Sequence, residues 1–274
     1  MSKSKLRNTL LAATMVAGGL IMGTAPAHAT LGTLFIGTDS LSFNCATADP
    51  PVGVGSFVSC GLDQLVWRDV APAGPSGEAV SQLNILAPSN TPVSMLSDMG
   101  WTTIADIQHV NTIIQGGVFN FTIDMNDAFT LTQGVTTVLA LPNYPLHVAF
   151  TETPNEVLPC ANPLGNPCAD KFVVSNLDAV IASFPFSYDA GFGLEGWNLS
   201  FQVVAVPALG TAFDDANPLG GGTIWTAETN NSRLQVQARI DQVPEPASLA
   251  LLGIGLAGLG FTRRAAKKAD AKKA

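Results

Sequence analysis

The segment Phe119-Asn120-Phe121-Thr122-Ile123-Asp124-Met125 alternates apolar and polar side chains at every position. The same period of two returns in residues 199–203 and 234–240. Successive side chains of a β-strand point to opposite faces, so this period buries one face of a sheet and leaves the other in water. The three segments therefore predict half-buried strands of an antiparallel sheet.

Further short apolar segments are predicted as strands: 31–36, 57–67, 81–86, 101–110, 129–139, 146–151, 172–174, 181–186 and 222–226. Clusters of glycine and proline separate them and mark turns. Ala-Asn-Pro-Leu-Gly occurs at 161–165 and again at 216–220, which predicts two similar turns. No stretch between the termini shows a helical period. The sequence therefore predicts an all-β fold, a single β-sandwich of the jelly-roll or immunoglobulin-like type.

The N-terminus is typical of a secretory signal peptide over residues 1–29. A basic start is followed by a charge-free apolar core at 10–22. Ala27 and Ala29 then provide the small-x-small pattern that signal peptidase cleaves. These features predict export through the Sec translocon and a mature N-terminus at Thr30.

The C-terminus carries a second processing segment over residues 243–274. Four residues form its start: Val243, Pro244, Glu245 and Pro246. An apolar run at 247–261 follows. At ~1.5 Å per residue it covers about 22 Å as a helix, less than the ~30 Å hydrocarbon core, so we expect a short transmembrane helix. By the positive-inside rule the basic residues after it stay cytoplasmic. They include Arg263, Arg264, Lys267 and Lys268.

This order of Pro-Glu-Pro, short apolar helix and basic tail resembles the PEP-CTERM sorting signal of Gram-negative bacteria that make exopolysaccharide. The resemblance implies an exosortase-type transpeptidase that recognises the motif and removes the span. The chain is then expected to be anchored first in the inner membrane, with its body (residues 30–242) in the periplasm. It is expected to reach the cell surface or the extracellular matrix of a biofilm afterwards.

The body holds most of the acidic charge of the chain. It contains four of the 13 basic residues and 19 of the 21 acidic ones, so its formal net charge is −15, against −8 for the whole chain. Such a surface repels nucleic acid, which is therefore excluded as a partner. Acidic segments at 124–127 and 214–217 could supply some Ca²⁺ ligands. Because neither has the EF-hand spacing, both are interpreted as solvated turns, and no cofactor is predicted.

An exported chain with an even number of cysteines is expected to form disulfides. The body contains four cysteines: Cys45, Cys60, Cys160 and Cys168. Three pairings are possible, and the local ones, Cys45–Cys60 and Cys160–Cys168, are favoured. Each would close a short loop rather than cross the core. No pair has the Cys-x-x-Cys spacing of a zinc site.

Three segments of the body resemble the THxN family of PEP-CTERM proteins. The first contains Gln-His-Val-Asn at 108–111, the second Glu-Thr-Pro-Asn at 152–155, and the third a cysteine pair before Asp-Lys-Phe at 170–172. The resemblance covers most of 65–240 and implies a β-rich body without an assigned activity. Gln108 replaces the threonine of the family signature, so that position offers no hydroxyl nucleophile.

Two histidines of the body are candidates for chemistry. His109 ends a predicted strand two residues before Asn111, and it is interpreted as bonding across a turn to hold the loop at 109–117. His147 lies in an apolar run and is interpreted as a core or edge histidine. The sequence contains no Gly-x-Ser-x-Gly, His-Glu-x-x-His or P-loop motif, which argues against those three kinds of active site.

These observations favour an exported, non-enzymatic structural or exopolysaccharide-associated protein. Two alternatives stay open. A carbohydrate-binding module would present exposed tryptophans on a sheet face, although all four are interpreted as core anchors: Trp67, Trp101, Trp197 and Trp225. A secreted hydrolase would need a serine, carboxylate or metal within hydrogen-bond reach of His109.

Overall fold

The body is built almost entirely of β-strands. The computed structural model describes residues 33–51, 57–68, 80–112, 119–153, 164, 169–189, 194–207, 210–213, 222–228, 231–243 and 253–258. The strands in these ranges are β1 (Leu34–Asp49), β2 (Phe57–Cys60), β3 (Gln64–Arg68), β4 (Val80–Leu86), β5 (Pro92–Leu96), β6 (Thr102–Val110), β7 (Asn120–Gln133), β8 (Thr136–Ala140), β9 (Tyr144–Thr151), β10 (Asp170–Ser175), β11 (Ser183–Asp189), β12 (Leu194–Ala205), β13 (Thr211–Phe213), β14 (Gly222–Thr226) and β15 (Asn231–Gln242). One short helix, α1 (Leu177–Val180), joins β10 to β11.

The strands form two antiparallel sheets. The first has the order β13-β14-β10-β9-β7-β1-β5, with β8 paired to the second half of β7. The second has the order β11-β12-β15-β6-β4-β3-β2. The sheets curl into a half-barrel, and side chains from both contribute to one hydrophobic core. The predicted all-β, antiparallel class is confirmed, while the choice between jelly-roll and immunoglobulin-like topologies stays a prediction.

β7 shows how the alternating sequence produces the first sheet. Its odd-numbered residues from Phe121 to Leu131 are buried, and the residues between them are half-buried or exposed. β7 pairs with β1 along most of its length, with β9 through its first half and with β8 through its second half. Because the side-chain period is two, these registers place the apolar residues of neighbouring strands on one face.

Aromatic contacts join the two sheets across the core. Phe35 of β1 meets Trp197 of β12 with ring centroids 5.6 Å apart. Trp67 of β3 meets Phe121 and Phe150 of the first sheet at 5.2 and 4.8 Å. Both tryptophans are fully buried, which confirms that they are core anchors.

Several predicted strand bounds are wrong for identifiable reasons. The predicted strand 57–67 is the hairpin of β2 and β3. The predicted strand 129–139 contains the end of β7 and part of β8, separated by a turn in which Gly134 has a φ of 58°. β5 was not predicted because it begins with Pro92, which lacks an N–H for pairing. β13 and α1, of three and four residues, are too short for a period to register.

Cys45 and Cys60 form a disulfide with their Cα atoms 5.8 Å apart, which confirms this pairing. The short separation in sequence suggests a local loop closure, but the bond has a wider structural role. Cys45 lies in β1 and Cys60 in β2, so the disulfide links the first sheet to the second. Cys160 and Cys168 lie outside the described residues, and their pairing stays a prediction.

The chain divides into two compact units. Gly32–Gln242 forms one of them. In the other, the structure describes Val243 and residues 253–258, which are helical and exposed. No helix among the described residues has the length and apolarity needed to cross a bilayer. The predicted signal peptide, much of the predicted span at 247–261 and the basic tail lie outside the described residues.

Replacing Cys45 and Cys60 together by serine is expected to lower the melting temperature. A cross-link that spans 15 residues stabilises a fold by roughly 3 kcal/mol, because it restricts the unfolded chain. For a protein of this size that corresponds to a fall of about 6–12 °C in thermal unfolding followed by circular dichroism. The Cys160→Ser/Cys168→Ser variant serves as a comparison. An unchanged melting temperature in the first variant would contradict the role given to this bond.

Candidate functional site

Polar side chains gather where the end of β6 approaches β14 from the other sheet. His109 lies next to the last residue of β6, and Asn111 follows that strand directly. Thr226 ends β14, and Ala227 and Glu228 follow it. A hydrogen bond between His109 and Thr226, and another that Asn111 donates to Ala227, connect the two strand ends.

His109 is buried and bonds across the core. Its ring stacks on Trp67 with centroids 5.3 Å apart and meets Phe172 edge-on at 5.1 Å. Nδ1 lies 2.8 Å from Thr226 Oγ1, while Nε2 is buried and has no hydrogen-bond partner. Burial lowers the pKa of His109 to about 3, so the ring is neutral at physiological pH. The predicted bond across a turn is wrong, because the partner belongs to the opposite sheet.

A small apolar cavity borders His109. Its volume is about 50 Å³, and Met125, Val148 and Ile224 are among the residues that line it. A cavity needs about 10–15 Å³ to hold one water molecule, whereas ligand pockets measure roughly 300–1,000 Å³. The space beside His109 therefore admits a few water molecules and no sugar ring or peptide.

Three carboxyl groups, called here the acid cluster, lie close together: Glu152, Asp170 and Glu228. One oxygen from each lies within 4.8 Å of the others, and all three residues are buried. They come from the ends of adjacent strands, since Glu152 follows β9, Asp170 begins β10 and Glu228 follows β14. Antiparallel pairing brings these ends to the same edge of the first sheet.

Burial dominates the electrostatics of the acid cluster. It raises the pKa of Asp170 well above its usual value, and the charge of Glu152 adds to that rise. Burial also raises the pKa of Glu228 to about 9, with Asp170 contributing next. Hydrogen bonding lowers both pKa values only in part: Asn111 acts on Asp170 and Glu228, and the Thr153 N–H donates to Asp170 Oδ1 at 3.0 Å. Buried carboxylates so close together are unfavourable when all are ionised. The negative charge of such a cluster is removed by protonation or neutralised by a bound cation.

Asn111 faces the acid cluster from the second sheet. Its Nδ2 donates to the carbonyl of Ala227 at 3.4 Å. The residue is only 2% exposed. Its Oδ1 is therefore shielded from water, and it has no hydrogen-bond partner. A buried amide oxygen without a donor costs free energy, which makes it a natural ligand for a cation.

Sequence reasoning found part of this site and missed the rest. His109 and Asn111 were candidates, and the segments containing Glu152 and Asp170 carry the resemblance to the THxN family. Glu228 was missed because Thr-Ala-Glu after a strand looks like the start of an ordinary loop. Only the pairing of β14 with β10 places its side chain beside Asp170.

The acidic segment 124–127 is not a solvated turn, because it lies inside β7. Asp124 points outward and pairs with His147 of β9. His147 is exposed on a strand with neighbours on both sides, so its interpretation as a core or edge histidine is wrong. Asp127 points inward and is buried. The other acidic segment, 214–217, lies outside the described residues.

Asp127 forms a buried pair with Asp39. Asp39 lies opposite Phe129 and Asp127 opposite Leu41, so the two carboxyls are diagonal neighbours on the inner face of β1 and β7. Burial and then Asp127 raise the pKa of Asp39 to about 9, and burial raises the pKa of Asp127. Both carboxyls and Tyr144 line a second, smaller cavity, separate from the one beside His109. Asp39 therefore retains its proton at neutral pH.

The tryptophans differ in exposure. Trp67, Trp197 and Trp225 are buried, as predicted for core anchors. Trp101 is 37% exposed, which corrects its assignment to the core. The guanidinium of Arg239 lies 4.9 Å from the centre of its ring. The described residues thus present one exposed tryptophan rather than a line of several.

Comparison with known proteins identifies the C-terminal segment. The model of one family, the PEP-CTERM protein-sorting motif, matches residues 242–264. No curated protein matches the chain. The matched segment marks an exported protein that is anchored in a membrane and then processed by an exosortase-type system. The resemblance of the body to the THxN family stays a prediction.

Replacing Asp39 by asparagine is expected to stabilise the protein at alkaline pH. Because the folded-state pKa is raised to about 9, the stability that protonated Asp39 provides is complete below its unfolded pKa. It is lost as pH rises toward the folded value. The melting temperature of the variant should therefore be close to that of the wild-type protein at pH 4 and at least about 2 °C higher at pH 9.

Melting curves between pH 4 and 9 check this expectation. Asp178→Asn, on the exposed side of α1, is the matched control and should leave the pH profile unchanged. If Asp39→Asn shifted melting equally at every pH, Asp39 would not be protonated in the folded protein.

Proposed function

We propose that the chain is a non-enzymatic structural protein of the cell envelope or extracellular matrix, associated with exopolysaccharide and delivered by its C-terminal sorting segment. The observation that carries the proposal is the sorting motif at residues 242–264. It begins where the last strand, β15, ends at Gln242. In sequence, the predicted span therefore follows β15 within a few residues, and we expect the intervening prolines to disfavour a helix and present the motif to a transpeptidase.

The finer organisation belongs to the same proposal. Residues 1–29 act as a signal peptide for the Sec translocon and signal peptidase, 30–242 form the β-sandwich body, and 243–274 form the sorting segment. The apolar run at 247–261 anchors the chain in the inner membrane until an exosortase-type enzyme cuts near Pro244–Pro246. The body passes from the periplasm to the cell surface or to the matrix of a biofilm.

The surroundings of His109 support a non-enzymatic role. The ring is 2% exposed and lies between aromatic side chains. The hydroxyl of Thr226 is within hydrogen-bond reach, but the adjoining cavity of about 50 Å³ has no room for a substrate. The pair is better explained as a bond that joins the two sheets than as the base and nucleophile of a hydrolase.

The carbohydrate-binding alternative rests on Trp101. Stacking modules use aromatic faces that are open to solvent, and Arg239 lies over the ring of this tryptophan. Exposed Met99 lies two residues away. One partly covered ring gives less support to a dedicated sugar site than to a structural association spread over the surface.

Replacing Pro244 and Pro246 together by alanine is expected to leave uncut protein in the membrane fraction, because a helix that runs through the motif hides the bond to be cut. Cell fractionation and intact mass spectrometry measure the outcome. Pro207→Ala changes an exposed proline of the body and should be processed normally. If the double variant were cut and released as efficiently as the unchanged chain, sorting through this motif would be refuted.

The exported protein is expected to co-sediment with exopolysaccharide from the same cells, and Trp101→Ala should reduce the bound fraction less than twofold. A loss of tenfold or more on Trp101→Ala, with Met99→Ala unchanged, would instead favour the carbohydrate-binding module. Absence of co-sedimentation in the unchanged protein would remove exopolysaccharide from the proposal without affecting sorting.

A further inference from the structure

We propose that the acid cluster and the amide oxygen of Asn111 bind one Ca²⁺ ion. Their placement carries the inference. Three buried carboxyls offer oxygens within 4.8 Å of one another. The Asn111 amide hydrogen-bonds Asp170 and Glu228, and its buried Oδ1 has no hydrogen-bond partner, so a half-turn of the amide would direct this oxygen toward an ion. The proposal is independent of how the chain is sorted.

The spacing of the oxygens suits a calcium ion. Ca²⁺ binds oxygens at about 2.3–2.6 Å, so ligands on opposite sides of the ion lie roughly 4.6–5.2 Å apart. Mg²⁺ requires about 2.0–2.1 Å and near-octahedral geometry, which would draw opposite ligands to roughly 4.2 Å. Oxygens that all lie within 4.8 Å of one another can share one ion of this size, and the choice of Ca²⁺ over Mg²⁺ rests on the type of ligand.

The chemistry of the ligands points the same way. Carboxylate and amide oxygens are hard ligands, typical of Ca²⁺ and Mg²⁺, whereas zinc sites are built mainly from cysteine and histidine. The proposed ligands are all oxygens: Asn111, Glu152, Asp170 and Glu228. A set that combines acidic side chains with a neutral amide favours calcium over a transition metal.

A bound cation would also neutralise negative charge in the acid cluster. Arg233 bonds to Asp106, and Arg239 bonds to Asp241, so these two cations are engaged elsewhere. Within the part of the chain that the structure describes, no positive charge is among the causes that shift the pKa of Asp170 or Glu228. Buried charges are found paired or coordinated to metals, and a divalent ion would neutralise two of the three carboxylates.

The position of the site gives the ion a structural task. The acid cluster closes one edge of the first sheet, and Asn111 reaches it from the end of β6 in the second sheet. An ion bound by both would join the sheets at this edge, as the Cys45–Cys60 disulfide joins β1 to β2. The three segments that carry the resemblance to the THxN family supply Asn111, Glu152 and Asp170, so distant motifs meet at one site.

Calcium titration of the full-length chain in detergent, after removal of metals with EDTA, tests the proposal. Extracellular calcium modules have Kd values of about 10⁻⁴–10⁻³ M, so the titration should cover roughly 0.01–10 mM. Equilibrium dialysis is expected to find one Ca²⁺ per chain. Saturating Ca²⁺ should raise the melting temperature by roughly 5–10 °C at a hundredfold excess over Kd.

The Asp170→Asn/Glu228→Gln variant provides the sharpest comparison. In EDTA it is expected to melt at or above the temperature of the unchanged protein, because neutral amides replace carboxyls that repel one another. In Ca²⁺ the order should reverse, since the variant loses its ligands and gains no stability from the ion. Asp127→Asn removes a buried carboxyl that pairs with Asp39 and is not one of the proposed ligands, so it should keep the full calcium shift.

Three outcomes would overturn the proposal. The first is the absence of a bound ion or a thermal shift in the unchanged chain up to about 10 mM Ca²⁺, well above the usual range for extracellular sites. The second is an equal calcium shift in the double variant, which would place the ion elsewhere. The third is a clear preference for Zn²⁺ over Ca²⁺ in competition dialysis. The first measurement needs no variant, so the proposal stays falsifiable if the double variant does not fold.

Discussion

β7 pairs with β1 along most of its length, while its two halves pair with β9 and β8. This pairing decides which side chains face the core, because a shift of one residue would turn every side chain of β7 to the other face. The neighbouring strands β9, β10 and β14 follow in register, and their ends come together at one edge. The second sheet then packs its tryptophans against phenylalanines of the first.

The inner face that β7 organises is not uniformly apolar. It encloses the Asp39–Asp127 pair, whose pKa values are raised. The acid cluster closes its edge, and the pKa values of Asp170 and Glu228 in that cluster are raised as well. His109 is buried as a neutral ring with one nitrogen bonded to Thr226. Buried polar groups cost stability unless they are paired, so each of these groups constrains the pH or the ions under which the body folds.

Sorting and fold are separable in this chain. The sorting motif is read from a short linear segment, which follows the last strand directly. The body contributes an acidic surface, an inter-sheet disulfide and a core with no cavity large enough for a sugar or peptide beside His109. These features are consistent with the structural role that we propose for the chain.

The sequence by itself determined the β class and the sorting motif. It favoured the Cys45–Cys60 pairing over the alternatives and assigned all four tryptophans to the core, of which three are buried. Each of these depends on local patterns, such as a period of two, a short cysteine separation or a contiguous motif. The tertiary structure alone decided that His109 bonds across the sheets, that Asp127 faces the core, and that Glu228 joins Glu152 and Asp170. Residues far apart in sequence meet only through strand order and register, which one sequence does not specify.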